Sequence, residues 1–289
     1  MPRTDLRTAP PALFLLLVGP AIALLLGACE HGAKAPAARE DARMAAAIEA
    51  AMNGPHRSPG NIARNAERHP VETLLFFGLE PDMTVIEASP GGLWYTEILA
   101  PVLSERGHYI AAAWDPELPD SPEYQTRAYE GMLTRFREEP EVFGGAGVVK
   151  LAPPASIDLG PSGYADMILT FRNTHGWLRD GSADRVYAAF FDALKPGGIL
   201  GVVQHRKGPK TQDGFSGYVD EDELIALATR AGFVLEARSE INANPRDTAD
   251  HAGGVWTLPP SFRLGDQDRE KYAAIGESDR MTLRFRKPR

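Results

Sequence analysis

From residue 83 onward, short apolar runs and amphipathic stretches take turns, and this alternation constrains the fold more than any other feature of the chain. The runs MTVIEA (83–88), YIAAAW (109–114), VVKL (148–151), DMILTF (166–171), GILGVVQH (198–205), FVLEAR (233–238) and MTLRFR (281–286) have the length and residue content of strands. Between them the spacing predicts helices over 91–103, 121–138, 182–194 and 220–232. Asp220 with Glu223 three residues on is a capping-box variant, and Gly232 is a stop. Apolar strands alternating with helices mean an α/β fold, a mostly parallel sheet covered by helices on both faces. Upstream, an Ala-rich helix is expected over 42–52, then a break in NGPHRSPGN (53–61), then a helix over 70–78 with Pro70 in its first turn. Segment 239–280 breaks the rhythm and is rich in Pro, Asp and Arg, as expected of an inserted functional loop or lid before the last strand. At its end GESDRMT (276–282) reads as a solvated turn.

In such a sheet a ligand sits at the carboxyl ends of the strands. The turn Ser89-Pro90-Gly91-Gly92 lets it approach the backbone, and the helix behind offers N–H groups and a positive dipole end. Asp115 ends the next strand and is placed to take ribose hydroxyls. It lies 28 residues after Glu87, further than the roughly 20 of dinucleotide folds. FRNTHGW (171–177) follows the fourth strand and puts Arg172, Asn173 and His175 at the site edge, and His205 follows the fifth strand on the same side. A histidine there suits a general base with a pKa near the working pH. The plainer reading of both segments is a capped loop and a surface pair. His251, with Asp247 and Asp250 in the insert, would approach the same mouth. The spacing gives no metal motif, and no metal is expected. Trp94, Trp177 and Trp256 are candidates either for a pocket lining or for the core.

The N-terminus is a separate matter. Arg3 and Arg7 precede an apolar run over 13–26 that Pro20 interrupts, shorter than the roughly 20 residues a membrane span needs. This is the pattern of a secretory signal. Leu26-Gly27-Ala28-Cys29 resembles the bacterial lipoprotein signal, whose Cys becomes the lipidated first residue, and Cys29 is the single Cys of 289 residues. The alternative is a plain signal peptide with an incidental Cys. The expected organisation is a signal over 1–28, a flexible Ala/Pro-rich tether over 29–41 and one domain over 42–289. The protein is expected to be exported to the periplasm, with membrane contact through the lipid on Cys29 alone. Without a second Cys there is no intramolecular disulfide and no thiolate metal site. Removing residues 1–28 leaves 29 Lys+Arg against 38 Asp+Glu, a net charge of −9. An acidic domain is a poor partner for nucleic acid. With 43% hydrophobic residues the chain can bury a sizeable core.

Taken together, VIEASPGG, YIAAAWD, ADMILTFRNTHGWL and FFDALKPGGILGVVQH resemble the class I S-adenosylmethionine-dependent methyltransferases. With the lipoprotein signal, the chain is similar to predicted exported bacterial methyltransferases. The resemblance implies a Rossmann-like, doubly wound, seven-stranded sheet whose last strand runs antiparallel. It implies S-adenosylmethionine as cofactor, with Glu87, Ser89, Gly91 and Gly92 at the methionine part, Asp115 at the ribose and Ala152 flanking the adenine. The family's three alternate glycines fall here on Ser89, Gly91 and Leu93, a departure at two places. The implied activity is methyl transfer to an unidentified small-molecule acceptor in the cell envelope, with His175 or His205 taking the acceptor's proton. Two readings stand beside it. One is an exported binding or scaffold protein without catalysis, since the cofactor is made in the cytoplasm. The other is a metal-assisted hydrolase using His175, His205 and His251. The sequence carries no signal of oligomeric state.

Overall fold

The computed structural model describes residues 31–289 apart from 120 and 213, so the expected signal peptide and Cys29 lie outside the described residues. A helix covers His31–Met52. It takes in most of the segment expected as a tether, because its alanines are strong helix formers. Asp41–Arg289 forms one compact unit; the residues before it, described from His31, form another.

The compact unit is built on an eight-stranded sheet of β1 (Thr84–Ala88), β2 (His108–Ala113), β3 (Gly147–Ala152), β4 (Ser156–Asp158), β5 (Ala165–Phe171), β6 (Leu194–His205), β7 (Val234–Ser239) and β8 (Arg280–Arg286). Its order is β4-β3-β2-β1-β5-β6-β8-β7. β3, β2, β1, β5 and β6 are mutually parallel, and β8 runs antiparallel between β6 and β7. The expected count of seven is corrected to eight by β4, which folds back antiparallel on β3. Three residues carry no periodicity, so only the pairing with β3 reveals this strand.

Strand periodicity divides the core into two layers. Val85, Met167, Leu169 and Ile199 point to one face, where Pro70–Phe77, Thr96–Leu103 and Glu123–Glu138 pack. Ile86, Ile168, Leu200 and Val202 point to the other, covered by Ala183–Ala193 and Glu221–Arg230. Asp220 caps the latter helix as expected, accepting from the amides of Asp222 and Glu223. Segment 239–280 contains a 3-10 turn at Gly254–Thr257 and a helix at Arg269–Ile275. Among the described residues no helix is long and apolar enough to cross a membrane. The chain builds β1, β2 and β3 outward in one direction, then β5 and β6 in the other. The strand order therefore reverses between β1 and β5, and a crevice opens at their carboxyl ends.

Candidate functional site

The Ser89–Gly92 turn leaves β1 at this reversal, and the Ser89 amide donates to the Ala112 carbonyl at 2.8 Å. Ser89, Gly91 and Leu93 have φ of 50°, 56° and 63°. All three alternate positions are thus left-handed, which costs about 1–3 kcal/mol at each non-glycine. Leu93 is held there by burial in the core. A Cβ on Gly92 would meet nothing within 4 Å, and one on Gly91 only the Ser89 carbonyl at 3.9 Å. The Gly91 and Gly92 amides donate to nothing among the described residues. A left-handed Leu93 also cannot belong to a helix. The helix expected from 91 therefore begins at Thr96.

This turn is the shared wall of two cavities. The first, of about 450 Å³, brings together Glu87, Ser89, Gly91, Gly92, Arg172, Asn173, His175 and His205. Glu87 is buried, and its Oε2 accepts from Thr96 Oγ1 at 2.8 Å and Tyr109 OH at 2.7 Å. Burial pushes its pKa up to about 7, against the pull of these two hydrogen bonds. Asn173 Nδ2 donates to the Ala88 carbonyl at 2.8 Å and to Thr170 Oγ1 at 3.3 Å, tying the tips of β1 and β5 together. Tyr95 stacks on Phe171, with centroids 3.5 Å apart, in the same cavity.

The two histidines face each other at 5.6 Å between ring centroids. His205 Nδ1 lies 2.6 Å from Ser278 Oγ. Gln204 Nε2 reaches both the Gly217 carbonyl at 3.4 Å and His175 Nδ1 at 3.3 Å. The carbonyl can only accept, which assigns the amide orientation and leaves the His175 proton on Nε2. Burial, reinforced by Arg172, lowers His175 to about 4. Burial, then His175, Arg172, Arg280 and Arg68, holds His205 well below its usual range. Both imidazoles are neutral at neutral pH, which corrects the expectation of a base titrating near the working pH.

The opposite wall was not foreseen. Glu277 accepts from Arg64 Nε at 2.7 Å, Arg68 Nε at 3.1 Å and Arg280 Nη1 at 2.9 Å, and Arg172 Nη1 lies 3.9 Å away. Burial raises this carboxyl, but the attraction of Arg68, Arg280, Arg172 and Arg64 outweighs it and brings the pKa to about 2. Segment 276–282 is therefore no solvated turn: Glu277, Ser278 and Arg280 are all buried. The only sequence hints were the i,i+4 spacing of Arg64 and Arg68 and the i,i+3 spacing of Glu277 and Arg280. Segment 239–280 supplies further wall through Trp256, Pro259 and Ser261. Trp94 also lines the cavity, whereas Trp177 packs in the other core layer against Phe190. His251 pairs with Asp247 at 2.9 Å and does not join the other histidines. Among the described residues no group of three or more His, Cys, Asp and Glu could hold a metal ion.

The second cavity, about 770 Å³, lies across the turn and is lined by Leu93, Trp114, Tyr124, Tyr129, Met132 and Leu151. Asp115 and Ala152 border neither cavity. The Asp115 carboxylate lies 3.2 Å from Lys150 Nζ and accepts from the Glu117 amide, while Ala152 is fully buried.

At the level of sequence, no family model and no curated protein matches the chain. Its fold is similar to that of solved structures. A SAM-dependent methyltransferase from Aquifex aeolicus is 16% identical, with 84% of this chain and 98% of that one covered and a TM-score of 0.50. A geranyl diphosphate methyltransferase in complex with SAM is 12% identical, with 83% and 94% covered and a TM-score of 0.51. The cyclase SpnF is 17% identical, with 82% and 84% covered and a TM-score of 0.51. The shared feature is the fold, which these proteins use for more than one reaction.

Proposed function

We propose that this chain is an S-adenosylmethionine-dependent methyltransferase acting on a small-molecule acceptor in the cell envelope. The observation that carries the reading is the open space over Gly91 and Gly92, with both amides unbonded, at the reversal of strand order. The residues fit the cofactor in two parts. Glu87 and the turn suit the charged methionine end, and the aromatic and apolar lining with Trp114, Met132 and Leu151 suits a planar base. Asp115 serves the ribose only by giving up Lys150. When bound, the cofactor supplies an electrophilic methyl group on a sulfonium. Methyltransferase neighbours of the same fold support the reading.

The chain's own contribution is alignment and exclusion of water. Asn173 braces the strand tips, Tyr95 and Phe171 form an apolar wall, and His175 offers Nε2–H as a donor. Two imidazoles of low basicity suit an acceptor that arrives already ionised or carries a soft nucleophile. Calorimetry of S-adenosylmethionine and S-adenosylhomocysteine on the full chain, with Asp115→Ala as control, tests this. Micromolar binding weakened in the variant is expected, and no binding by folded protein would sink the proposal. Binding with no methyl transfer to any acceptor would favour the second reading, a binding protein, to which the Asp115–Lys150 pair also points. Envelope location rests on Leu26-Gly27-Ala28-Cys29. Incorporation of labelled palmitate by the wild type but not by Cys29→Ala is the expected result.

A further inference from the structure

We propose that the arginine wall of the first cavity seats a dianionic, phosphate-type group of the acceptor. The inference rests on the methyltransferase reading for the word acceptor; the anion site itself stands on the wall alone. Four guanidiniums, Arg64, Arg68, Arg172 and Arg280, converge on one carboxylate, Glu277. The formal excess is three positive charges, with Arg68 and Arg280 buried and Arg64 and Arg172 partly buried. Guanidiniums do not discharge to relieve such crowding, and buried charges without partners are costly. The wall is therefore incomplete as it stands.

The unpaired donors identify what completes it. Arg68 is 1% exposed, lines the cavity, and has Nη1 and Nη2 buried without a hydrogen-bond partner among the described residues. Arg280 Nε is unpartnered as well. The Arg68 guanidinium lies over the Trp94 ring at 4.6 Å, a cation–π contact on one side of the group. A planar fork with both terminal nitrogens free is the geometry that takes phosphate oxygens in pairs. Arg57, over the same ring, is no part of the excess, because Glu97 neutralises it at 3.1 Å. The remaining titratable groups facing the wall add little charge: His175 and His205 are neutral, and Glu87 is half ionised near pH 7. A dianion offsets more of this excess than a monoanion does and presents oxygens in pairs to a guanidinium fork.

The test is calorimetry of inorganic phosphate binding to the full chain at constant ionic strength, with and without saturating S-adenosylhomocysteine. Phosphate is expected to bind with a Kd of about 1 mM or tighter in both conditions. Arg68→Met is expected to weaken it about tenfold and Arg64→Gln, at the partly buried position, about threefold. Should Arg68→Met fold poorly, Glu277→Gln keeps the question open to decision. It removes the internal anion, so its melting temperature should start lower and rise more with phosphate than that of the wild type. Absence of phosphate binding would overturn the proposal, as would equal binding by Arg68→Met. So would loss of phosphate binding when S-adenosylhomocysteine saturates the protein, since the wall would then seat the cofactor's own carboxylate. Phosphate binding without any S-adenosylhomocysteine binding would leave the anion site standing and remove the cofactor reading. The converse would remove the anion site alone.

Discussion

Two buried carboxylates face the first cavity from opposite walls, and their surroundings drive them in opposite directions. Glu87, at the tip of β1, has only hydroxyl donors, and burial brings it to about 7. Glu277 sits among four arginines and is held at about 2. The same residue type is thus close to switching on one wall and permanently charged on the other. What differs is the count of neighbouring cations, since both groups are desolvated.

The sharpest way to break this contrast is Glu277→Gln. It leaves two buried guanidiniums, Arg68 and Arg280, and two partly buried ones without their counter-charge, and a loss of about 3–5 kcal/mol in urea unfolding is expected. Gly92→Val acts on the strand-tip wall without touching either carboxylate. A Cβ there meets nothing within 4 Å, so the unfolding midpoint should hold. The affinity for S-adenosylhomocysteine should fall about 100-fold, equivalent to about 3 kcal/mol.

Glu87→Gln sharpens the comparison through pH. A carboxyl raised in the folded state stabilises fully below its unfolded pKa, and that contribution is lost as pH rises through about 7. His175 and His205, depressed by burial, work in the opposite sense over an overlapping range, so the difference between wild type and variant isolates Glu87. Between pH 5 and 8 the wild type should lose about 2 kcal/mol more than Glu87→Gln. Glu277, being depressed, should show the reverse, a contribution present above its unfolded pKa and lost as pH falls through about 2. The smallest effect is expected for Lys150→Met at the end of β3. It should leave the unfolding midpoint unchanged and tighten S-adenosylhomocysteine binding a few-fold by freeing Asp115.

The two walls also differ in how far they could be read from the chain. The strand-tip wall is nearly contiguous: Glu87, Ser89, Gly91 and Gly92 fall within six residues of an apolar run. Periodicity and the glycine pair point to it directly, as they do to the parallel sheet. The arginine wall is assembled from distant segments, and Arg64 and Glu277 are 213 positions apart. Nothing local distinguishes such arginines from the solvated ones elsewhere. Leu93 misled in another way. Its place in the glycine pattern suggested a damaged turn, yet the backbone takes the left-handed conformation anyway and core packing holds it. Asp115 lies two residues beyond β2 and Ala152 ends β3, and neither borders a cavity. Strand β4 escaped because three residues have no period to show.

That small strand has an effect on how molecules of this protein meet one another. A parallel sheet that stopped at β3 would present a full row of unpaired amides and carbonyls, a template on which a second chain can add. β4 covers that row along Lys150–Ala152 and is too short to offer a comparable one itself. At the far border β7 places Glu236 and Arg238 beside the exposed Val234, and both are engaged in ion pairs. Each border thus carries a feature that natural sheets use against edge-to-edge pairing, a short covering strand at one and charged side chains at the other.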